Sequence, residues 1–220
     1  MGKMGIYTVY SGKRGKDMNM QTMNKISYGM YVVTAQENGK DNGCIINTLQ
    51  QLTTEPCVVS ITVNKANHTH DMIQRTGKFN VTMLDNESEF DVFKHFGFQS
   101  GRDVDKFADY KDFARSENGL VYLTKGVNSF ISAKVTKEID LGSHTMFIAE
   151  ATDGELLSEE NSMTYAYYHR HIKPKPEKPK KEQKGYRCIV CGYVYEGEDL
   201  PDDFICPWCK HGVVDFEKIK

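Results

Sequence analysis

The chain has 220 residues, 39% hydrophobic and 26% charged, with a formal net charge of -2, which suits one compact domain plus a small appended one. Basic and aromatic residues nowhere interleave as a nucleic-acid footprint requires, so nucleic acid is excluded as a partner. No apolar run is long enough to span a membrane and the basic N-terminus lacks an apolar h-region, so the expected location is cytoplasmic.

Residues 1–22, glycine-rich and without periodicity, read as a flexible N-terminal extension. Tyr31–Ala35 is rich in β-formers. The dipeptides Asn38-Gly39 and Asn42-Gly43 that follow are turn formers leading into a strand over Cys44–Thr48. After Pro56, the run Cys57–Val63 alternates like a half-buried strand. Asn67 offers an N-cap to a short helix over Thr69–Thr76 that Gly77 stops. Phe79–Leu84 is a further strand. Phe90, Phe93 and Phe96 recur every three residues on a helix ending at Gly97, and that stripe reads as core. Gly101–Phe113 is polar and reads as a loop with a helical turn near Asp103–Phe107. Strands resume at Leu120–Thr124, Ser129–Ile139 and Thr145–Thr152. Ser162–His169 is tyrosine-rich, helical or extended. Short strands with brief helices predict a mainly β barrel or sandwich, and no GxGxxG supports a Rossmann nucleotide site. Residues 171–184 hold six lysines and three prolines, the composition of a stiff, extended linker.

The tail, residues 185–220, places four cysteines as two C-x-x-C pairs, Cys188 with Cys191 and Cys206 with Cys209. Two such knuckles turn four thiolates around one metal ion, a donor set that selects iron or zinc over hard cations. The piece is too short for an apolar core, yet it carries Tyr186, Tyr193, Tyr195, Phe204, Trp208 and Phe216, so it needs the metal to fold. Cys44 and Cys57 remain for the main domain, where both read as buried small hydrophobes. The motifs Y-x-C-x-x-C-G-Y-x-Y, L-P-D-D-F-x-C-P-x-C and D-F-E resemble the rubredoxins, whose single iron sits in four cysteine sulfurs. The loop between the knuckles is short, as in the rubredoxin-type tail of rubrerythrins, and Lys210 stands where glycine is usual. Zinc stays open as a substitute for iron.

A one-electron iron centre cannot take a hydride, which calls for a flavin as adaptor. Asn42–Leu49 (NGCIINTL) offers small and amide side chains for a planar ring. Lys65, Asn67, Thr69 and His70 gather where a strand meets a helix N-terminus, a setting that favours phosphate. The blocks ISYGMYVVTA (26–35), NGCIINTLQQLTTEPCVVSITVNKANHTHDMI (42–73), FGFQSGRDVDKF (96–107), GSHTMFIAE (142–150) and TYAYYH (164–169) resemble the flavin reductase-like, FMN-binding split-barrel family. Combined with the tail, they resemble the high-molecular-weight rubredoxins. The resemblance implies an FMN-binding split β-barrel over residues 23–170, a homodimer, and a rubredoxin-like iron domain over 185–220. It further implies that Asn47 and Thr48 contact the flavin ring or ribityl chain, and that Lys65, Asn67, Thr69 and His70 hold its phosphate. His144 matches the histidine of a G-D-H-T motif where nicotinamide stacks, with Ser143 in place of the acid. The implied function is electron transfer from NAD(P)H through FMN and iron to a flavodiiron protein or a rubrerythrin-type peroxidase, in oxygen or nitric oxide detoxification. Two readings stand beside it: a carrier loaded by a separate reductase, and a zinc-ribbon binding module on a split-barrel scaffold.

Overall fold

The computed structural model describes residue 22 and residues 25–174, 185–189, 192–207 and 212–219. The expectations placed on the N-terminal extension, on most of the linker and on Cys191, Trp208, Cys209 and Lys210 fall outside these residues.

The first hairpin joins β1 (Tyr31–Glu37) to β2 (Lys40–Ile46), with Glu37 opposite Lys40. Its turn is Asn38-Gly39, with φ of 51° and 78°, the double positive φ that suits the right-handed strand twist. Asn42-Gly43 is not a turn: both residues lie inside β2 and are buried. The physical reason is close approach, because a Cβ on Gly43 would meet the Phe96 ring and the Thr34 methyl at 3.2 Å. Glycine serves here to let a helix pack flat on a strand.

The chain continues through β3 (Gln50–Thr53), β4 (Val58–Asn64), helix α1 (His68–Thr76), β5 (Lys78–Leu84) and helix α2 (Phe90–Gly97). A small hairpin, β6 (Phe113–Arg115) with β7 (Val121–Leu123), precedes the long strands β8 (Val127–Asp140) and β9 (His144–Leu156). Helix α1 starts and stops where the sequence predicts. Gly77 closes it in the left-handed region, its N–H bonded to Ile73 O. Asn67 occupies the N-cap position, but its side chain makes no cap bond; Asn64 Oδ1 instead accepts from Ala66 N at 2.8 Å. The helical turn expected near 103–107 lies earlier, where Asp103 N and Val104 N both donate to Ser100 O. The polar strand β3, exposed throughout, and β6 were not anticipated.

Seven strands form one antiparallel sheet in the order β2-β1-β5-β8-β9-β4-β3, leaving β2 and β3 as its edges. Strand β1 is buried over four consecutive residues, Val32–Ala35, because both faces are covered. Val33 and Ala35 join one core with Ile61, Val63, Met72, Ile73, Phe79 and Phe147. Val32 joins the other with Phe93 and Phe96 of α2, Leu123, Met163 and Tyr168. Phe79, Phe93, Phe96 and Phe147 are all fully buried, each contributing about 1.5–3 kcal/mol. Phe93 packs on Tyr168 with ring centroids 4.3 Å apart, anchoring the segment formed by α3 (Tyr165–Tyr167) and a π-type turn over Tyr168–Ile172. Cys44 is buried as expected, whereas Cys57 is exposed, because it lies in the turn before β4 begins.

The tail folds separately as a three-stranded sheet, β10 (Tyr186–Cys188), β11 (Val194–Tyr195) and β12 (Phe216–Lys218), in the order β11-β10-β12. Among the described residues no helix is long and apolar enough to cross a membrane.

Candidate functional site

The tip half of β9 runs antiparallel beside β4 as far as the end of that strand. Register places His144 opposite Asn64, and Lys65 N donates to Ser143 O at 3.0 Å. Asp140, at the tip, accepts from Lys65 Nζ and from Gly142 N, both at 2.7 Å. Lys65, with its neighbouring N–H dipole, holds the Asp140 carboxyl below its ordinary range. The residue next to His144 is Ser143, whose Oγ lies 2.9 Å from His144 Nδ1. The orienting group is therefore a hydroxyl where the family motif would offer an acid.

The six residues expected at a flavin fall into two layers. Asn47, Lys65 and Asn67 form the outer one: each is half-buried, and Lys65 is paired only with the exposed Asp140. Thr69 and His70 lie beneath, 1% and 3% exposed. The Thr69 hydroxyl accepts from Asn42 Nδ2 at 3.1 Å. His70 bonds through both ring nitrogens, Nε2 to Thr145 Oγ1 at 2.8 Å and Nδ1 to Asp71 Oδ1 at 3.0 Å. Thr48 stands between the layers, its hydroxyl donating to Thr62 O at 2.7 Å and accepting from Thr62 N at 3.1 Å. It pins the Asn47–Leu49 loop to β4.

Three further groups, Arg102, Asn42 and Lys106, shape this end of the barrel. Arg102 donates to Ala66 O and to Asp71 Oδ2, both at 2.6 Å. Burial raises the Asp71 carboxyl, but the bond to His70 and the Arg102 charge outweigh it and hold the group low. Asn42 is 3% exposed, and its Oδ1 is a buried acceptor with no partner. Lys106, also 3% exposed, donates to Gly43 O at 2.8 Å and Phe96 O at 2.9 Å. It ties the C-terminal end of α2 to β2, and burial depresses its pKa to about 8. Burial also pushes the adjacent Cys44 thiol up, so this thiol is inert packing.

These side chains fit a flavin phosphate and polyol. The first turn of α1 presents amides, Lys65 supplies charge, and Asn47 has an amide without a protein partner among the described residues.

In the tail, Cys188 and Cys206 are both 0% exposed; Cys191 and Cys209 lie outside the described residues. Cys188 N donates to Tyr193 O, and Gly192 N donates to Cys188 O, each at 2.8 Å. Phe204 centres the ring shell, 4.8 Å from Tyr195 and 5.5 Å edge-on to Phe216. Two buried cysteines on separate segments of a domain that also holds a cluster of rings fit a dry thiolate metal site.

The chain belongs to the flavin reductase family. Residues 23–176 match the flavin reductase like domain, and residues 186–217 match the rubredoxin-like domain of rubrerythrin. The high molecular weight rubredoxin of Moorella thermoacetica is 34% identical over 92% of this chain and 100% of its own length. The ferric-chelate reductase (NAD(P)H) of Archaeoglobus fulgidus is 38% identical over 69% of this chain and 89% of its own. Among solved structures, the NADH:FAD oxidoreductase SgcE6 of Streptomyces globisporus, in complex with NAD and FAD fragments, superposes with a TM-score of 0.61. It covers 71% of this chain and 92% of its own at 22% identity, a likeness of fold. The protein is thus a flavin reductase-like β-barrel joined to a rubredoxin-like domain, a pairing made for electron transfer through flavin and iron.

Proposed function

We propose that this chain takes hydride from NAD(P)H and passes electrons through FMN to the thiolate iron site, and from there to a redox protein of the flavodiiron or rubrerythrin type. The observation that carries the reading is the meeting, at the β4–α1 junction, of Asn64 and Lys65 with the hairpin tip that bears Asp140, Ser143 and His144. Full-length similarity to a high molecular weight rubredoxin and similarity to an NAD(P)H ferric-chelate reductase support it.

Bound FMN would supply the conversion between two-electron and one-electron chemistry. The chain's part is positioning. Lys65 and the first-turn amides of α1 hold the phosphate, and Asn67, beside them, lines it. Asn47 meets the ring edge, while Thr48 keeps that loop fixed on β4. His144, steadied by Ser143, orients the nicotinamide. Thr69 and His70 act from below by fixing the first turn of α1. Cys188, Cys191, Cys206 and Cys209 ligate the metal, and Phe204 with its neighbours keeps water from the sulfurs.

The proposal includes the domain limits 23–170 and 185–220, the linker between them, and a homodimer. The fully exposed edge strand β3, which directly follows Asn47–Leu49 and carries the exposed Leu52, supports a second copy against this edge.

Anaerobic addition of NADH or NADPH to the purified protein tests the whole route. The flavin absorption and the ferric-thiolate absorption are both expected to bleach, flavin first. If neither changes although flavin and iron are present, the reading is wrong. Bleaching only after a separate reductase is added establishes the carrier instead. Metal analysis that finds zinc alone, with no flavin, establishes the scaffold reading.

A further inference from the structure

We propose that Arg102 is a second cation of the phosphate seat, positioned by the chain of bonds Asp71–His70–Thr145; this rests on the reading of the β4–α1 junction as that seat. Arg102 lies 37 residues beyond Lys65 in the chain, on a polar loop, yet its guanidinium bonds to Ala66 O and Asp71 Oδ2 at 2.6 Å. Ala66 stands between Lys65 and Asn67, and Asp71 is in the first turn of α1. The fork therefore spans the mouth of the helix. Its side chain remains 43% exposed, and the two bonds use two of its five donors, leaving three for an incoming anion.

Two independent features hold it in place. From below, Asp71 uses its second oxygen for His70 Nδ1, and His70 Nε2 bonds to Thr145 Oγ1. Thr145 adjoins His144 on β9, so the seat and the hairpin tip share one hydrogen-bonded support. From the side, Gly101 packs on Asn42 so closely that a Cβ would fall 2.3 Å from the Asn42 amide atoms. Asn42 in turn donates to Thr69 in the first turn of α1, while its buried Oδ1 lacks a partner. A bidentate guanidinium next to a lysine suits a terminal phosphate dianion, since the fork matches two phosphate oxygens and the lysine adds a point charge.

The test compares two ligands that differ only in the phosphate. The full-length chain, stripped of flavin, is titrated with FMN and with riboflavin by fluorescence quenching. Wild type is expected to prefer FMN. Arg102→Ala is expected to weaken FMN binding by about ten- to hundredfold, the worth of one or two charge-assisted bonds, while riboflavin binding is unchanged. Arg102→Lys, which keeps the charge and loses the fork, should fall between. Asp71→Asn, which leaves Arg102 without its anchor, should lose part of the FMN preference. Thermal melts of the stripped variants check that each folds. If Arg102→Ala weakens both ligands equally, or neither, Arg102 does not serve the phosphate and the inference fails while the flavin site stands. If wild type binds both ligands alike, the phosphate seat itself is wrong and the inference falls with it.

Discussion

Replacing Lys106 by methionine removes a buried cation while keeping a side chain of similar length. The amine is 3% exposed, and burial brings its pKa from 10.5 down to about 8, with Cys44 acting in the opposite sense. In the unfolded chain the group keeps its ordinary value. Between about pH 8 and pH 10.5 the unfolded state then binds more protons than the folded state, so the Lys106 contribution makes stability rise with pH. The charged amine costs the fold about 3 kcal/mol at pH 7, and about 1 kcal/mol of that penalty is relieved by pH 9. Cys44 works the other way: burial raises its thiol above 9.0, so the unfolded chain loses that proton first and stability falls at higher pH. Because the Lys106 charge also lowers that thiol, both proteins are compared in a Cys44→Ala background, where the difference isolates the lysine. Urea unfolding followed by circular dichroism at pH 7 and pH 9 measures it. In that background the protein with Lys106 is expected to gain about 1 kcal/mol relative to Lys106→Met over that interval. A difference that is flat, or that shrinks, would refute the assignment of a depressed, buried ammonium.

Three shorter tests bear on other parts. Cys206→Ser should abolish the ferric-thiolate absorption and the bound metal while flavin binding by the barrel persists, as metal analysis and flavin content will report. Lys65→Met should leave stability within about 1 kcal/mol, because its pair with Asp140 is exposed, yet it should weaken FMN more than riboflavin in the same titration. Phe93→Ala removes a fully buried ring and should cost about 3–5 kcal/mol. Proteolysis should then cut first in the 164–172 segment, which loses the ring under Tyr168.

Local chemistry carried much of the barrel into view, and its failures share one cause. Asn38-Gly39 and Asn42-Gly43 carry the same turn signal. Only the first is a turn, because the second glycine answers to Phe96, more than fifty residues away. Lys106 falls in a stretch that reads as a polar loop, and nothing near it in the chain reveals the two carbonyls it serves. Strand β3 has no apolar face because both of its faces are wet, so alternation could not mark it. At the site, Lys65 and Asn67 were legible because a strand running into a helix start is itself a phosphate-favouring arrangement. Thr69 and His70 were legible as members of the site, but their burial was not. Arg102 and Asp71 stayed hidden because their bond joins residues 31 apart. In the tail, the cysteine spacing marks the candidate ligands, while the central place of Phe204 among the rings needed the fold.

The pairing of charges at the β4–α1 junction bears on how a phosphate would bind. Lys65 and Arg102 each hold a carboxylate, Asp140 and Asp71, so the junction carries no strong positive field of its own. An arriving phosphate must share or displace these partners, which lowers net affinity but fixes both cations in advance. The two pairs differ in what lies behind them. Asp140 is 73% exposed at a hairpin tip, so it can swing away and release Lys65 at little cost. Asp71 is held by His70, itself buried against Thr145 and Phe147, so Arg102 must bind phosphate while keeping its carboxylate. On the proposed reading, Lys65 would then supply the charge that responds to the ligand, and Arg102 the geometry that selects it.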